Sequence, residues 1–143
     1  MDLEKVKEWL GGTPNLATRL GMEFHSTPEP DVCVATMKVD ERTRQPFGVL
    51  SGGATVALAE TLAGVGSLAC APGVVGVGIN VSATHVRAAR EGDTVTAQAT
   101  LVGRRRHFHV WQVTVTDGEG QLVSTLQVTN FLKPLQECGD VRK

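Results

Sequence analysis

The chain has 143 residues, of which 20% are charged and 41% hydrophobic, and its formal net charge is -1. That length suffices for one domain with its own core and without disulfides or a structural metal, and the composition excludes the disordered and collagen-like classes. A balance this close to neutral gives no electrostatic reason to expect nucleic acid as a partner.

The opening residues, Met1-Asp2-Leu3-Glu4-Lys5, carry acids where a secretory signal would carry a basic segment, so a cytoplasmic location is expected. Residues 2–10 place Leu3, Val6, Trp9 and Leu10 on one helical face behind an Asp2 N-cap, and Gly11-Gly12 ends the helix. A second short helix is expected from Thr13-Pro14 to Gly21, which makes residues 1–20 an N-terminal helical segment. Residues 22–39 then alternate as two strands around the turn Pro28-Glu29-Pro30-Asp31. Within them Cys33, Ala35, Met37 and Val39 oppose Val32, Val34, Thr36 and Lys38, so one of the two sets faces the core.

Residues 42–51 form a loop with Pro46 and Gly48, and it delivers Ser51-Gly52-Gly53 to a long helix that runs to about Ala71 and stops at Pro72-Gly73. The helix is rich in alanine and glycine, so a sheet can approach it closely. Residues 49–70 are the least polar stretch, but Glu60, glycines and hydroxyl residues interrupt it, so a core helix is expected and a membrane span is not. Four β-rich stretches follow at 74–87, 94–103, 108–116 and 122–132. Glu91-Gly92-Asp93 and Asp117-Gly118-Glu119-Gly120 between them are both read as hairpin turns. A long helix with short strands before it and an antiparallel meander after it is an α+β layout, one domain over residues 1–143 with a loose tail from residue 137. Cys33, Cys70 and Cys138 are odd in number and lack C-x-x-C spacing, which predicts free thiols and no zinc or redox pair.

Between Arg44 and Arg87 the only formally charged side chain is Glu60, mid-helix, with Val56, Ala57, Ala63 and Gly64 as its same-face neighbours. A carboxylate in apolar surroundings has its charged form penalised and becomes suited to general-base work. Equally, a good helix former can sit on a solvent-facing edge, and both readings of Glu60 stand at this point. Gly52-Gly53 has a similar pair of readings. The glycines bring unpaired N–H groups to a helix N-terminus, where an oxyanion is stabilised, or they relieve strain at a tight junction.

Taken together, Gln45-Pro46-Phe47-Gly48-Val49-Leu50-Ser51-Gly52-Gly53-Ala54 followed by Ala57-Leu58-Ala59-Glu60-Thr61-Leu62 resembles the signature of hotdog-fold thioesterases of the 4-hydroxybenzoyl-CoA and 1,4-dihydroxy-2-naphthoyl-CoA branch. The resemblance extends from about residue 20 to residue 132 and includes Ala83-Thr84-His85-Val86-Arg87 and Glu91-Gly92. It implies a hotdog fold, an antiparallel sheet of five or six strands around the central helix, in homodimers that often pair into homotetramers. It also implies hydrolysis of an acyl-CoA substrate, with no metal and no cofactor beyond the coenzyme A of the substrate itself. The implied catalytic positions are Glu60 as nucleophile or general base, Gly52 as oxyanion donor, Gln45 as positioning amide and Ser51 where many members have histidine. A Gln45 and Gly52 of one subunit would face Glu60 of the other. Gly53, Gly64, His85 and Arg87 are the implied substrate contacts, Gly64 standing where many members have serine or threonine, and Arg104 is a further candidate contact on charge alone.

Coenzyme A is polyanionic and calls for arginine. Arg87 and Arg90 lie at a predicted strand end, and Arg104-Arg105-Arg106-His107 is the densest positive run, which is either a phosphate contact or a solvated turn. The spacing of His85, His107 and His109 suits no metal site. Two rival functions remain: a non-catalytic acyl-CoA sensor, because Ser51 and Gly64 replace polar family groups, and a hydroxyacyl-thioester dehydratase, which needs a histidine that the loop before the helix lacks.

Overall fold

The computed structural model describes residues 1–138. Two short helices, α1 (Glu4–Gly11) and α2 (Leu16–Leu20), lead into strands β1 (Glu23–His25) and β2 (Val32–Lys38), the long helix α3 (Gly52–Cys70), and strands β3 (Val74–His85), β4 (Thr94–Arg104), β5 (Phe108–Thr116) and β6 (Leu122–Pro134). All six strands join one antiparallel sheet in the order β1-β2-β4-β5-β6-β3, and α3 packs against one face of it.

The core is the alternation of the strands meeting the apolar side of α3. Cys33, Ala35 and Met37 are the buried set of β2 and, with Val39 just after it, they join Val95, Ala97 and Ala99 of β4 and Trp111, Val113 and Val115 of β5. From α3 come Leu58, Ala59, Leu62 and Ala63, all fully buried. Gly66 shows why the helix needs a glycine at its closest approach to the sheet: a Cβ there would lie 2.5 Å from Trp111 Cη2 and 2.9 Å from Cys33 Sγ. α3 is long and apolar enough to cross a bilayer by length and composition, contrary to the view that its polar residues rule this out, but half of its apolar window is buried inside the domain.

Several local expectations change. Leu3, not Asp2, occupies the N-cap of α1. Leu3 is drawn into the core, where its N–H bonds Ser26 Oγ at 2.9 Å, and the Asp2 carboxylate accepts instead from the Glu4 N–H at 3.0 Å. Trp9, expected on the inner face, is 55% exposed. α2 starts after Asn15, whose reciprocal bonds with Thr18 form a capping box that outcompetes a start at Thr13-Pro14. Glu91-Gly92-Asp93 is not a hairpin, because β3 pairs with β6 at the far edge while β4 pairs with β2 and β5. The segment turns through Gly92 (φ 93°) as the chain crosses back into the sheet. The meander is therefore β4-β5-β6 alone. At the tail, Leu135–Cys138 forms one exposed 3₁₀ turn, and the rest of the expected loose end lies outside the described residues.

Candidate active site

The loop before α3 is a small folded unit. Thr43, buried, donates its hydroxyl to Lys38 O at 2.8 Å and accepts the Asp40 N–H, which fixes the departure from β2. Gln45 N–H bonds Val49 O at 2.7 Å around Gly48, whose φ of 79° is open to glycine at little cost. Leu50 N–H bonds Ala89 O and Glu91 N–H bonds Gly48 O, so the loop is pinned against the residues after β3.

This scaffold fixes the start of α3. Ser51 is the N-cap in extended conformation, yet its side chain makes no capping bond. The first intrahelical bond runs from Thr55 N–H to Ser51 O, and among the described residues no partner is found for the N–H groups of Gly52, Gly53 and Ala54. Three donors and the positive end of the helix dipole are thus open to an anion or a polarised carbonyl.

Gly52 opens into a cleft of about 360 Å³ that Gln45, Thr55, His85, Arg87 and Ser124 also line. The Gln45 amide nitrogen reaches Leu50 O at 3.4 Å. His85 comes from the end of β3, directly opposite Ser124 of β6 in the sheet register, and its Nδ1 lies 2.7 Å from Ser124 Oγ. Its Nε2 packs so tightly on the helix start that a Cβ on Gly52 would be 2.9 Å away. The histidine that the preceding loop lacks therefore reaches the helix N-terminus from a strand, and the buried Ser124 holds its far nitrogen. Ser51 stays half-buried beside this cleft and outside its lining, and Gly53 is exposed.

Glu60 is elsewhere. Eight residues along α3, or roughly 12 Å at the helical rise, its carboxylate is exposed and lies against Gly78 of β3. Gly76 and Gly78 allow this edge strand to approach the helix without side chains of its own. One helical turn beyond Glu60, Gly64 floors a separate hollow of about 190 Å³ shared with α1 and β3. One chain thus unites Gln45, Gly52, His85 and Arg87 but leaves Glu60 and Gly64 on a different part of the surface.

Arg104 is further away still. With Arg105 and Arg106 it borders an open hollow of about 540 Å³ at the C-terminal end of α3, beside Cys70 and His109. Burial raises the Cys70 thiol pKa, which Arg104 partly offsets, and burial together with the Arg104 charge lowers that of His109. Beneath lies a polar cluster that the sequence did not disclose. Ser67 Oγ accepts from Trp111 Nε1 at 2.9 Å and Asn130 Nδ2 at 3.1 Å, and it meets His109 Nδ1 at 3.1 Å. Only the strand register could have brought these residues together. Among the described residues, no group of three His, Cys, Asp or Glu side chains could hold a metal ion.

A six-stranded antiparallel sheet packed on one long helix, with an open cleft at that helix's N-terminus, defines a hotdog-type protein. The chain belongs to the thioesterase superfamily, whose family profile matches residues 47–124, and as an enzyme it is a thioesterase. It is 40% identical over 122 residues to the 1,4-dihydroxy-2-naphthoyl-CoA hydrolase of Escherichia coli K12, covering 85% of this chain and 88% of that one. It is also 40% identical over 134 residues to the proofreading thioesterase EntH of Cronobacter sakazakii, covering 92% and 94% of the two chains. The crystal structure of a Haemophilus influenzae thioesterase superposes with a TM-score of 0.85 at 35% identity, over 100% of this chain and 96% of that chain.

Proposed function

We infer that this thioesterase hydrolyses the thioester of a compact acyl-CoA to free acid and CoA, at a site shared between two copies of the chain. The observation that carries this reading is the separation on α3. The open N–H groups and Gln45 stand at one point of the helix, the lone carboxylate two turns further on, and neither half is complete. Beside Glu60 runs β3, a twelve-residue edge strand whose outer side is unpaired among the described residues and whose Val77 and Ile79 are 43% and 55% exposed. A long apolar edge is a template for pairing with another strand. Two-fold pairing along β3 continues the sheet and lets each helix start meet the other helix's carboxylate. Phe47, 73% exposed on the loop beside Gln45, gains cover in the same step.

In this arrangement the thioester carbonyl points at the Gly52 N–H, which stabilises the oxyanion as the carbonyl becomes tetrahedral. Gln45 orients the ester. Glu60 of the partner subunit either adds to the carbonyl carbon, giving an anhydride that water opens, or takes a proton from a water that adds directly. By either route the C–S bond breaks, the CoA thiolate leaves and takes up a proton, and the acyl group departs as the acid. Arg87, in the same cleft as Gly52, is placed for a CoA phosphate; Arg104 is not in that cleft. The name of the Escherichia coli relative supports a CoA leaving group.

Thiol release from a panel of CoA esters tests both parts. Glu60→Gln should lower turnover about 10²- to 10⁴-fold with the fold unchanged by circular dichroism; full turnover would refute the chemistry. Glu60→Gln and Gly52→Val subunits, each inactive alone, should regain activity when unfolded and refolded together, because a mixed dimer carries one site free of both lesions. Mixed dimers that form and stay inactive would refute the shared site.

A further inference from the structure

We propose that His85 is a second oxyanion donor, its Nε2–H standing beside the Gly52 N–H, and that the buried Ser124 holds the ring in the tautomer this requires; the proposal rests on the thioester carbonyl binding at Gly52. Both His85 and Gly52 line one cleft. A Cβ built on Gly52 would have atoms of the His85 ring as its three nearest neighbours, Nε2 at 2.9 Å, Cδ2 at 3.2 Å and Cε1 at 3.5 Å, so the ring presents its Nε2 edge to the helix start.

The tautomer follows from Ser124. Its side chain belongs to the inward row of β6 with Leu126, Val128 and Leu132, where an apolar residue would pack without desolvating a hydroxyl. Ser124 is fully buried, and among the described residues the one partner of its Oγ is His85 Nδ1 at 2.7 Å. A ring protonated at Nδ1 would donate to this oxygen and leave the hydroxyl proton buried with no acceptor, which is the costly arrangement. The hydroxyl therefore donates to Nδ1, and the neutral imidazole carries its one proton on Nε2, at the cleft. Register makes this pairing possible, because His85 and Ser124 are opposite each other in the β3–β6 ladder.

A second donor is what the cleft lacks. Of the three open N–H groups at the start of α3, only that of Gly52 belongs to a residue lining the cleft; Gly53 and Ala54 are outside it. The Gln45 amide nitrogen faces Leu50 O, and Ser51 is also outside the lining. With His85, a carbonyl oxygen at Gly52 meets one backbone and one imidazole N–H. As the tetrahedral centre forms, Nε2–H donates a hydrogen bond to the oxyanion and keeps its proton; when the C–S bond breaks and the carbonyl returns, that bond weakens again. The ring thus acts in the transition state more than in substrate binding.

Three substitutions of His85 test the assignment in the thiol-release assay, with the CoA ester of the panel that turns over fastest. His85→Ala removes the donor and should lower kcat about 10²- to 10³-fold with KM little changed. His85→Gln places an amide N–H near the position of Nε2 and should recover much of the loss. His85→Asn keeps a partner for Ser124 but reaches no further, and should be as slow as His85→Ala. Ser124→Ala should lower kcat by a smaller factor at unchanged KM. A readout free of turnover is the 15N spectrum of the neutral His85 ring, identified by its loss in His85→Gln: the wild type should show the proton on Nε2, and Ser124→Ala should mix the two tautomers. A ring protonated on Nδ1 in the wild type overturns the proposal, as does a rise in KM at constant kcat, or an equal loss in the Ala, Gln and Asn variants. If Glu60→Gln abolishes turnover while all three His85 variants keep the wild-type kcat, the histidine assignment is wrong and the catalytic reading stands. If Glu60→Gln keeps full turnover, the carboxylate chemistry is wrong, and the contrast between His85→Gln and His85→Asn still decides the histidine.

Discussion

The two ends of α3 treat polar groups in opposite ways. At the C-terminal end, Ser67 Oγ receives two N–H groups, from Trp111 and Asn130, which occupy both of its lone pairs. Its own proton is left for His109 Nδ1, so the imidazole carries its proton on Nε2. In this buried cluster, Asn130 Oδ1 alone is left without a partner among the described residues. At the N-terminal end, Ser51 does not cap, the N–H groups of Gly52, Gly53 and Ala54 have no partner among the described residues, and Gly52 lines a cleft. Satisfied polar groups under a helix hold the sheet to it; open ones beside a cavity await a ligand. The same helix thus separates stability from chemistry along its length.

The sharpest way to break this contrast is at Ser67. Ser67→Ala leaves the Trp111 N–H, one Asn130 N–H and His109 Nδ1 without their common partner, at a total cost of about 3 kcal/mol and a fall in melting temperature of roughly 10 °C. Activity per folded molecule at 20 °C should be unchanged, since nothing in the cleft is touched. A loss of turnover without a loss of stability would reverse the division of roles. Gly52→Ala is the complementary change. The new Cβ would press on His85 Nε2 at 2.9 Å, and the ring must yield. A displacement of about 1 Å in a reacting assembly costs on the order of 10²-fold in rate, so kcat/KM should fall by that order in the thiol-release assay while the melting temperature moves little.

The strands around this helix were readable because their signal is local. The period-two alternation of β2, β4 and β5 and the glycines of the Asp117–Gly120 turn specify where strands run and which face is inward. Pairing order is a different matter. Glu91-Gly92-Asp93 has hairpin residues but joins strands that are not neighbours, because turn composition says nothing about which edge a strand returns to. The same limit hid the contacts between His85 and Ser124 and between Ser67 and His109, each of which spans about forty residues and depends on register. Helical periodicity put Trp9 inward because it reports direction, whereas the small faces of α3 and β3 beside it leave a hollow instead of a packed wall. Glu60 was conspicuous as the one charge in an apolar segment, yet its exposure in the single chain is a property of the edge strand next to it, which no local pattern encodes.

The smallest expected effect separates two kinds of glycine within one turn of α3. Gly64→Ala adds a methyl group where the nearest atom, Gly76 O, is 3.8 Å away, so the loss of helix-interior glycine should dominate and stabilise the protein by about 0.5–1 kcal/mol. Gly66→Ala adds the same group 2.5 Å from Trp111 in a filled core, where overpacking costs typically about 1–3 kcal/mol. Urea denaturation of the two variants should therefore move the midpoint in opposite directions. If Gly64→Ala is instead as harmful as Gly66→Ala, the space at position 64 is filled in the assembled protein, and a neighbouring subunit is what the missing side chain accommodates.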